Sequence, residues 1–211
     1  MGRHWGRKSM IVDYKTVIKD LVSNICPRGS VGVEIGTRKG YSAETILQCE
    51  NVSKVYLVDP YKSFLKDKSQ HAFDRYLKRA ARRLSKFGDR ATFVRQTSMD
   101  AIPIVNEQLD FVYIDGNHEY SFVKNDVNEW ANKLKSGSLC FGHDWVDESH
   151  MDFDSLGGVR QAILEFVDER GEEIEKEHTG CCEIKHASIE GGLYLSPPID
   201  YGVCIWWFVK K

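Results

Sequence analysis

Val31-Gly32-Val33-Glu34-Ile35-Gly36-Thr37-Arg38-Lys39-Gly40 is the stretch that most restricts how this chain can fold. Val31, Val33 and Ile35 alternate as strand residues do, Gly36 and Gly40 interrupt the strand, and Tyr41 to Cys49 resumes with helix formers. A strand, a glycine turn and a helix start are the parts of an α/β fold. Such a turn gathers backbone N–H groups and the positive end of a helix at one point. A small polar or anionic ligand can approach there without meeting a Cβ. The pattern Glu-x-Gly-x-x-x-Gly lacks the third glycine of a dinucleotide fingerprint and sets an acid just before the turn.

Strands and helices alternate on either side of this run. Apolar residues from Tyr14 to Ile25 repeat at helical spacing until Pro27 and Gly29. Val55 to Val58 reads as a second strand ending in Asp59-Pro60-Tyr61. An acid there can accept from both hydroxyls of a ribose, though Asp59 before proline also suits a plain turn. The segment 62–88 becomes helical, with Arg75, Lys78, Arg79, Arg82, Arg83 and Lys86 on one side. This stripe reads as a solvated face or as a dock for an anionic partner. Ala91 to Arg95 forms a third strand, and Leu109 to Ile114 a fourth that ends in Asp115-Gly116-Asn117-His118. A helix from Tyr120 stops at Lys135-Ser136-Gly137, and a fifth strand from Leu139 closes in Gly142-His143-Asp144-Trp145. A further helix covers Gly158 to Val167. Glu173 to Lys176 and Val203 to Val209 are expected strands, with 179–200 as a loop insertion.

Glu34-Ile35-Gly36-Thr37-Arg38-Lys39-Gly40 resembles the cofactor motif of class I S-adenosylmethionine-dependent methyltransferases. The stretches Ile114 to Tyr120 and Gly142 to Trp145 resemble the catalytic-side loops of a subgroup that includes small-molecule and sugar O-methyltransferases. The likeness runs from about Val31 to Trp145. It implies a doubly wound, Rossmann-like sheet of seven strands, mostly parallel with an antiparallel last strand and helices on both faces. It also implies that Glu34, Gly36, Thr37, Gly40, Asp59, Pro60, Thr97, Ser98, Met99 and Asp115 bind S-adenosylmethionine. Asp115, His118, His143 and Asp144 are the candidate catalytic residues. Asp115, His143 and Asp144 are expected to bind Mg2+ or another divalent cation, an imidazole among the ligands admitting softer metals. The chain departs from the subgroup in having His143 before Asp144, where two consecutive acids often occur. For His118 a helix-capping role is the alternative, and for Trp145 a place in the core.

The expected activity is methylation of a hydroxyl on a small-molecule acceptor. A cofactor-binding partner without catalysis and a nucleic-acid methyltransferase are the alternatives. A net charge of −2 gives no overall attraction for nucleic acid, and strand four lacks the acid/asparagine-Pro-Pro-aromatic run of base amino-methyltransferases. A chain of 211 residues suits one domain, here 11–211, behind a flexible basic arm at 1–10. No apolar run is long enough for a membrane span and no signal peptide is evident, so a cytoplasmic protein with reduced thiols is expected. The sequence leaves oligomeric state open, a homo-oligomer included.

Overall fold

The computed structural model describes residues 14–62, 69–145, 157–175, 180–183, 194–195 and 204–211. The expected basic arm at 1–10 lies outside the described residues. Six helices are described: α1 (Tyr14–Ile25), α2 (Tyr41–Leu47), α3 (Gln70–Leu84), α4 (Ser98–Ala101), α5 (Tyr120–Ala131) and α6 (Gly157–Arg170). The strands are β1 (Ser30–Ile35), β2 (Val52–Val58), β3 (Ala91–Val94), β4 (Leu109–Ile114), β5 (Leu134–Trp145), β6 (Gly180–Glu183), β7 (Tyr194–Leu195) and β8 (Cys204–Val209).

They form one sheet in the order β3-β2-β1-β4-β5-β8-β6-β7. From β3 to β5 neighbouring strands are parallel, and β8 runs antiparallel beside β5. The described sheet therefore has eight strands, not the seven expected. The additions come from the region expected to be a loop insertion at 179–200. There Gly180 and Cys181 pair with Trp207 and Trp206 of β8, and β7 pairs with β6. The described part of the expected strand from Glu173 is not one: Gly171–Glu173 is a 3-10 turn and Ile174 makes a single bridge to Lys210, while residue 176 lies outside the described residues.

Alternation explains why both faces are covered. On β4, Leu109, Val112 and Ile114 join one core with α5 and α6, while Phe111 and Tyr113 join the other with α1 and α2. On β8, Trp206 and Phe208 face the first core and Ile205 the second. Lys135-Ser136-Gly137 does not end a helix. It bulges from β5, which advances from Leu134 to Leu139 while β4 advances only from Leu109 to Phe111.

Asp126 of α5 is 4% exposed. Burial pushes its carboxyl up to about 6, against a lowering hydrogen bond from Ser98. Because the folded pKa lies above the unfolded value of about 3.9, the protonated acid fits without penalty below that pH. Stability is then lost as pH rises through about 6. Asp126→Asn is expected to be more stable at neutral pH by roughly 2–3 kcal/mol. Urea denaturation should show the advantage shrinking toward pH ~4, whereas parallel pH profiles for the two proteins would contradict it.

Candidate functional site

The winding direction reverses between β1 and β4, and ligands of open α/β sheets collect at the carboxyl ends of strands beside such a reversal. Gly36 leaves β1 there with φ 92°. Its N–H donates to Val58 O at 2.8 Å, and Asp115 N–H donates to Ile35 O at 2.8 Å. The turn is therefore fastened to β2 on one side and β4 on the other. Gly40, also at positive φ, stands at the start of α2.

Glu34 is fully buried, with Oε1 accepting from Ser42 Oγ at 2.5 Å. Burial raises its pKa to about 7, and the Ser42 hydroxyl opposes the shift. Its other oxygen, Oε2, and Thr37 Oγ1 in the turn itself make no hydrogen bond of normal geometry among the described residues, although the Thr37 hydroxyl lies close enough to help stabilise the Glu34 carboxylate. Unpaired buried acceptors cost about 1–3 kcal/mol each. Two of them beside a glycine turn suit the charged amino group of an amino-acid-bearing cofactor. Asp59 accepts Arg38 N–H on Oδ2 at 2.8 Å and Tyr61 N–H on Oδ1 at 2.7 Å. Each carboxylate oxygen keeps further acceptor capacity, which two ribose hydroxyls would use. Pro60 follows, half-exposed.

At the end of β3, Thr97 caps α4, its Oγ1 accepting Asp100 N–H at 3.3 Å. Ser98 Oγ accepts from Trp130 Nε1 at 2.8 Å, and Met99 is exposed. The sequence-expected donor residues thus lie at the ends of β1, β2, β3 and β4, with the side chains of Thr97 and Ser98 already engaged.

The candidate catalytic residues meet at the ends of β4 and β5. His118 Nε2 lies 2.8 Å from Asp144 Oδ2 and 3.6 Å from Asp115 Oδ1. His143 Nδ1 is 3.1 Å from Asp144 Oδ1 and 3.7 Å from Asp115 Oδ1, and its ring meets Tyr14 edge-on at 5.4 Å. Burial alone would lower the His118 pKa, but hydrogen bonding to Asp115 and Asp144 overrides it and raises it to about 10. His118 is therefore an imidazolium at neutral pH, not a free base. His143 is shifted upward by the same carboxylates against its own burial. Burial would raise the Asp144 carboxyl, yet the two imidazoles hold it well below the usual carboxylate range.

Asp115, His118 and Asp144 each offer one ligand atom, all within 4.8 Å of one another. This set contains His118, while His143, the imidazole expected from the sequence, faces the same two carboxylates through Nδ1. Asp144 adopts φ 60°, and the β5–β8 register shifts between Gly142 and Trp145. That irregularity breaks the alternation of His143 and Asp144 along the strand, while Asn117 Oδ1 holds the His118 loop by accepting Glu119 N–H at 3.0 Å.

Glu119, not His118, is the N-terminal cap residue of α5. Behind this loop a Cβ on Gly158 would come within 2.5 Å of Tyr120 N and 2.7 Å of His118 O. Gly158 is a positioning residue that sequence reading placed only at a helix start. Trp145 is buried in the core on the α6 side. Of the basic stripe, Arg83 and Lys86 pair with Glu44 at 2.7 and 2.6 Å. Arg75, Lys78, Arg79 and Arg82 remain exposed.

The methyltransferase domain family matches residues 33–145, more than half the chain. An rRNA methylase from Streptococcus thermophilus shares the fold at TM-score 0.62 and 13% identity, over 95% of this chain and 98% of that one. An O-methyltransferase from Bacillus cereus, solved with S-adenosylhomocysteine, aligns at TM-score 0.64 and 14% identity, over 93% and 80%. The O-methyltransferase TomG from Streptomyces achromogenes, solved with S-adenosylmethionine, aligns at 0.62 and 16%, over 94% and 80%. No curated protein sequence is a match.

Proposed function

The chain belongs to the methyltransferase domain family and is an S-adenosylmethionine-dependent methyltransferase, and from that premise we propose that it methylates a hydroxyl of a small molecule at the β4–β5 strand ends. The observation that carries this reading is the cluster of Asp115, His118, His143 and Asp144 beside the Gly36 turn. Glu34, Thr37 and the Gly36 turn would hold the amino-acid end of the donor, and Asp59 its ribose. The sulfonium supplies an activated methyl group, so the protein's tasks are to align the acceptor oxygen and to exclude water.

A hydroxyl acceptor must also lose its proton. With His118 already protonated and Asp144 held ionised between the two imidazoles, Asp115 is the carboxylate of the cluster left to receive that proton. A divalent cation on Asp115, His118 and Asp144 is the other route, and the two carboxylates with one imidazole fit Mg2+ or Mn2+. Such an ion would lower the acceptor's pKa and take the place of the His118 proton. The B. cereus and S. achromogenes neighbours, named as O-methyltransferases, support an oxygen acceptor.

Calorimetric titration with S-adenosylhomocysteine should give saturable binding. Labelled S-adenosylmethionine should then transfer its methyl to hydroxylated small molecules, and exhaustive chelation should abolish that turnover until Mg2+ or Mn2+ is restored. Full turnover after chelation would remove the cation from the reading and leave Asp115 as the base. A nucleic-acid acceptor is a second reading, favoured by exposed Arg75, Lys78, Arg79 and Arg82. It would show itself as retention of labelled RNA that falls steeply with salt.

A further inference from the structure

We propose that Tyr61 is an additional donor-binding residue whose hydroxyl hydrogen-bonds the ribose beside Asp59, an inference that rests on the donor site described above. Tyr61 is 1% exposed, yet it belongs to neither of the two hydrophobic cores that line the sheet. Among the described residues its ring is not part of the packing on either face of the sheet. Its backbone sits at φ 46°, in the left-handed region. For a bulky side chain that conformation is strained.

The strain is fixed from both sides of the residue. Tyr61 N–H donates to Asp59 Oδ1 at 2.7 Å, and Tyr61 O accepts from Gln70 Nε2 at the start of α3, at 2.9 Å. These two bonds tie the main chain of Tyr61 to the candidate ribose acid and to α3. The hydroxyl at its tip is buried and has no partner among the described residues. The charged groups that act on it are Asp59, Glu34 and Arg95. These follow or end β2, β1 and β3, the three strands whose carboxyl ends carry the donor site. A buried phenol beside two carboxylates stays protonated, so it is a standing O–H donor.

That donor complements Asp59. A carboxylate only accepts, whereas each ribose hydroxyl both donates and accepts. A hydroxyl that donates to Asp59 still has lone pairs to offer, and Tyr61 supplies the matching O–H. The unpaired group and the strained backbone are then features of a site prepared for its ligand.

The test is Tyr61→Phe in the full chain, read by calorimetry and by thermal unfolding without ligand. Loss of an unpaired buried hydroxyl should leave the ligand-free melting temperature unchanged or higher. S-adenosylhomocysteine and adenosine should both bind about 5–20-fold more weakly. With 2′,3′-dideoxyadenosine the variant and the parent should bind alike, because the hydroxyls that Tyr61 serves are gone. Unchanged affinity for S-adenosylhomocysteine and adenosine would overturn the assignment. So would a lower melting temperature with intact affinity, which marks a structural hydroxyl, or a loss that persists with the dideoxy compound. Failure of the parent protein to bind S-adenosylhomocysteine would instead overturn the donor site on which the assignment rests.

Discussion

Replacing Gly36 by alanine is expected to destabilise the protein by about 4 kcal/mol or more and to abolish binding of S-adenosylhomocysteine. An alanine Cβ would lie 2.0 Å from Asp115 O, 2.5 Å from its carbonyl carbon and 2.7 Å from Gly116 Cα. All three are main-chain atoms, so no side chain can swing aside. The main chain they belong to is bonded to β1 through Asp115 N–H and Ile35 O. Relief of the clash must therefore separate the ends of β1 and β4, the two strands between which the site lies.

Gly29→Ala separates this cost from that of the backbone angle alone. Gly29 also has positive φ, at 81°, but nothing lies within 4 Å of its would-be Cβ. Its substitution should cost only about 1–2 kcal/mol. Urea denaturation of both variants decides the matter. Equal losses would mean that the close approach of the Gly36 turn to Asp115 contributes nothing.

The same contrast shows what the sequence could and could not reveal. The Gly36 turn was legible because alternation of Val31, Val33 and Ile35 followed by glycine is a local pattern. The acids at the strand ends were legible for the same reason, since Asp59 and Asp115 each close an apolar run. The grouping of Asp115, His118 and Asp144 was not, because it depends on how neighbouring strand ends turn relative to one another. Asp144 is in the left-handed conformation and its carboxylate meets His118, and nothing in Gly142-His143-Asp144 announces either. Tyr61 was hidden because tyrosine is not a residue associated with positive φ. Asp126 stood on the buried side of α5 by its spacing from Val123 and Trp130, but its charge argued for the surface. Strands β6 and β7 pair with each other and with distant β8, a long-range choice that their glycine- and proline-rich surroundings obscure.

Asp144→Asn is expected to lower kcat/KM about 10²–10⁴-fold while leaving affinity for S-adenosylhomocysteine within about threefold. Asparagine tolerates the left-handed backbone that Asp144 occupies at φ 60°, so the turn should survive. What disappears is the negative charge between His118, 2.8 Å from Oδ2, and His143, 3.1 Å from Oδ1. Both imidazoles then lose a counter-ion, and the proposed acceptor site loses one of its two carboxylates. Glu34 and Asp59, proposed to hold the donor, lie on β1 and after β2, which is why the defect should fall on turnover and not on donor affinity.

Raising Mn2+ in the variant assay distinguishes the two routes for the acceptor's proton. Partial recovery is expected if Asp144 serves as a metal ligand, since a weakened site fills at higher concentration. No recovery is expected if Asp144 acts only as the counter-ion of His118 and His143. Near-parental turnover in Asp144→Asn would exclude both, and would move the chemistry away from the ends of β4 and β5.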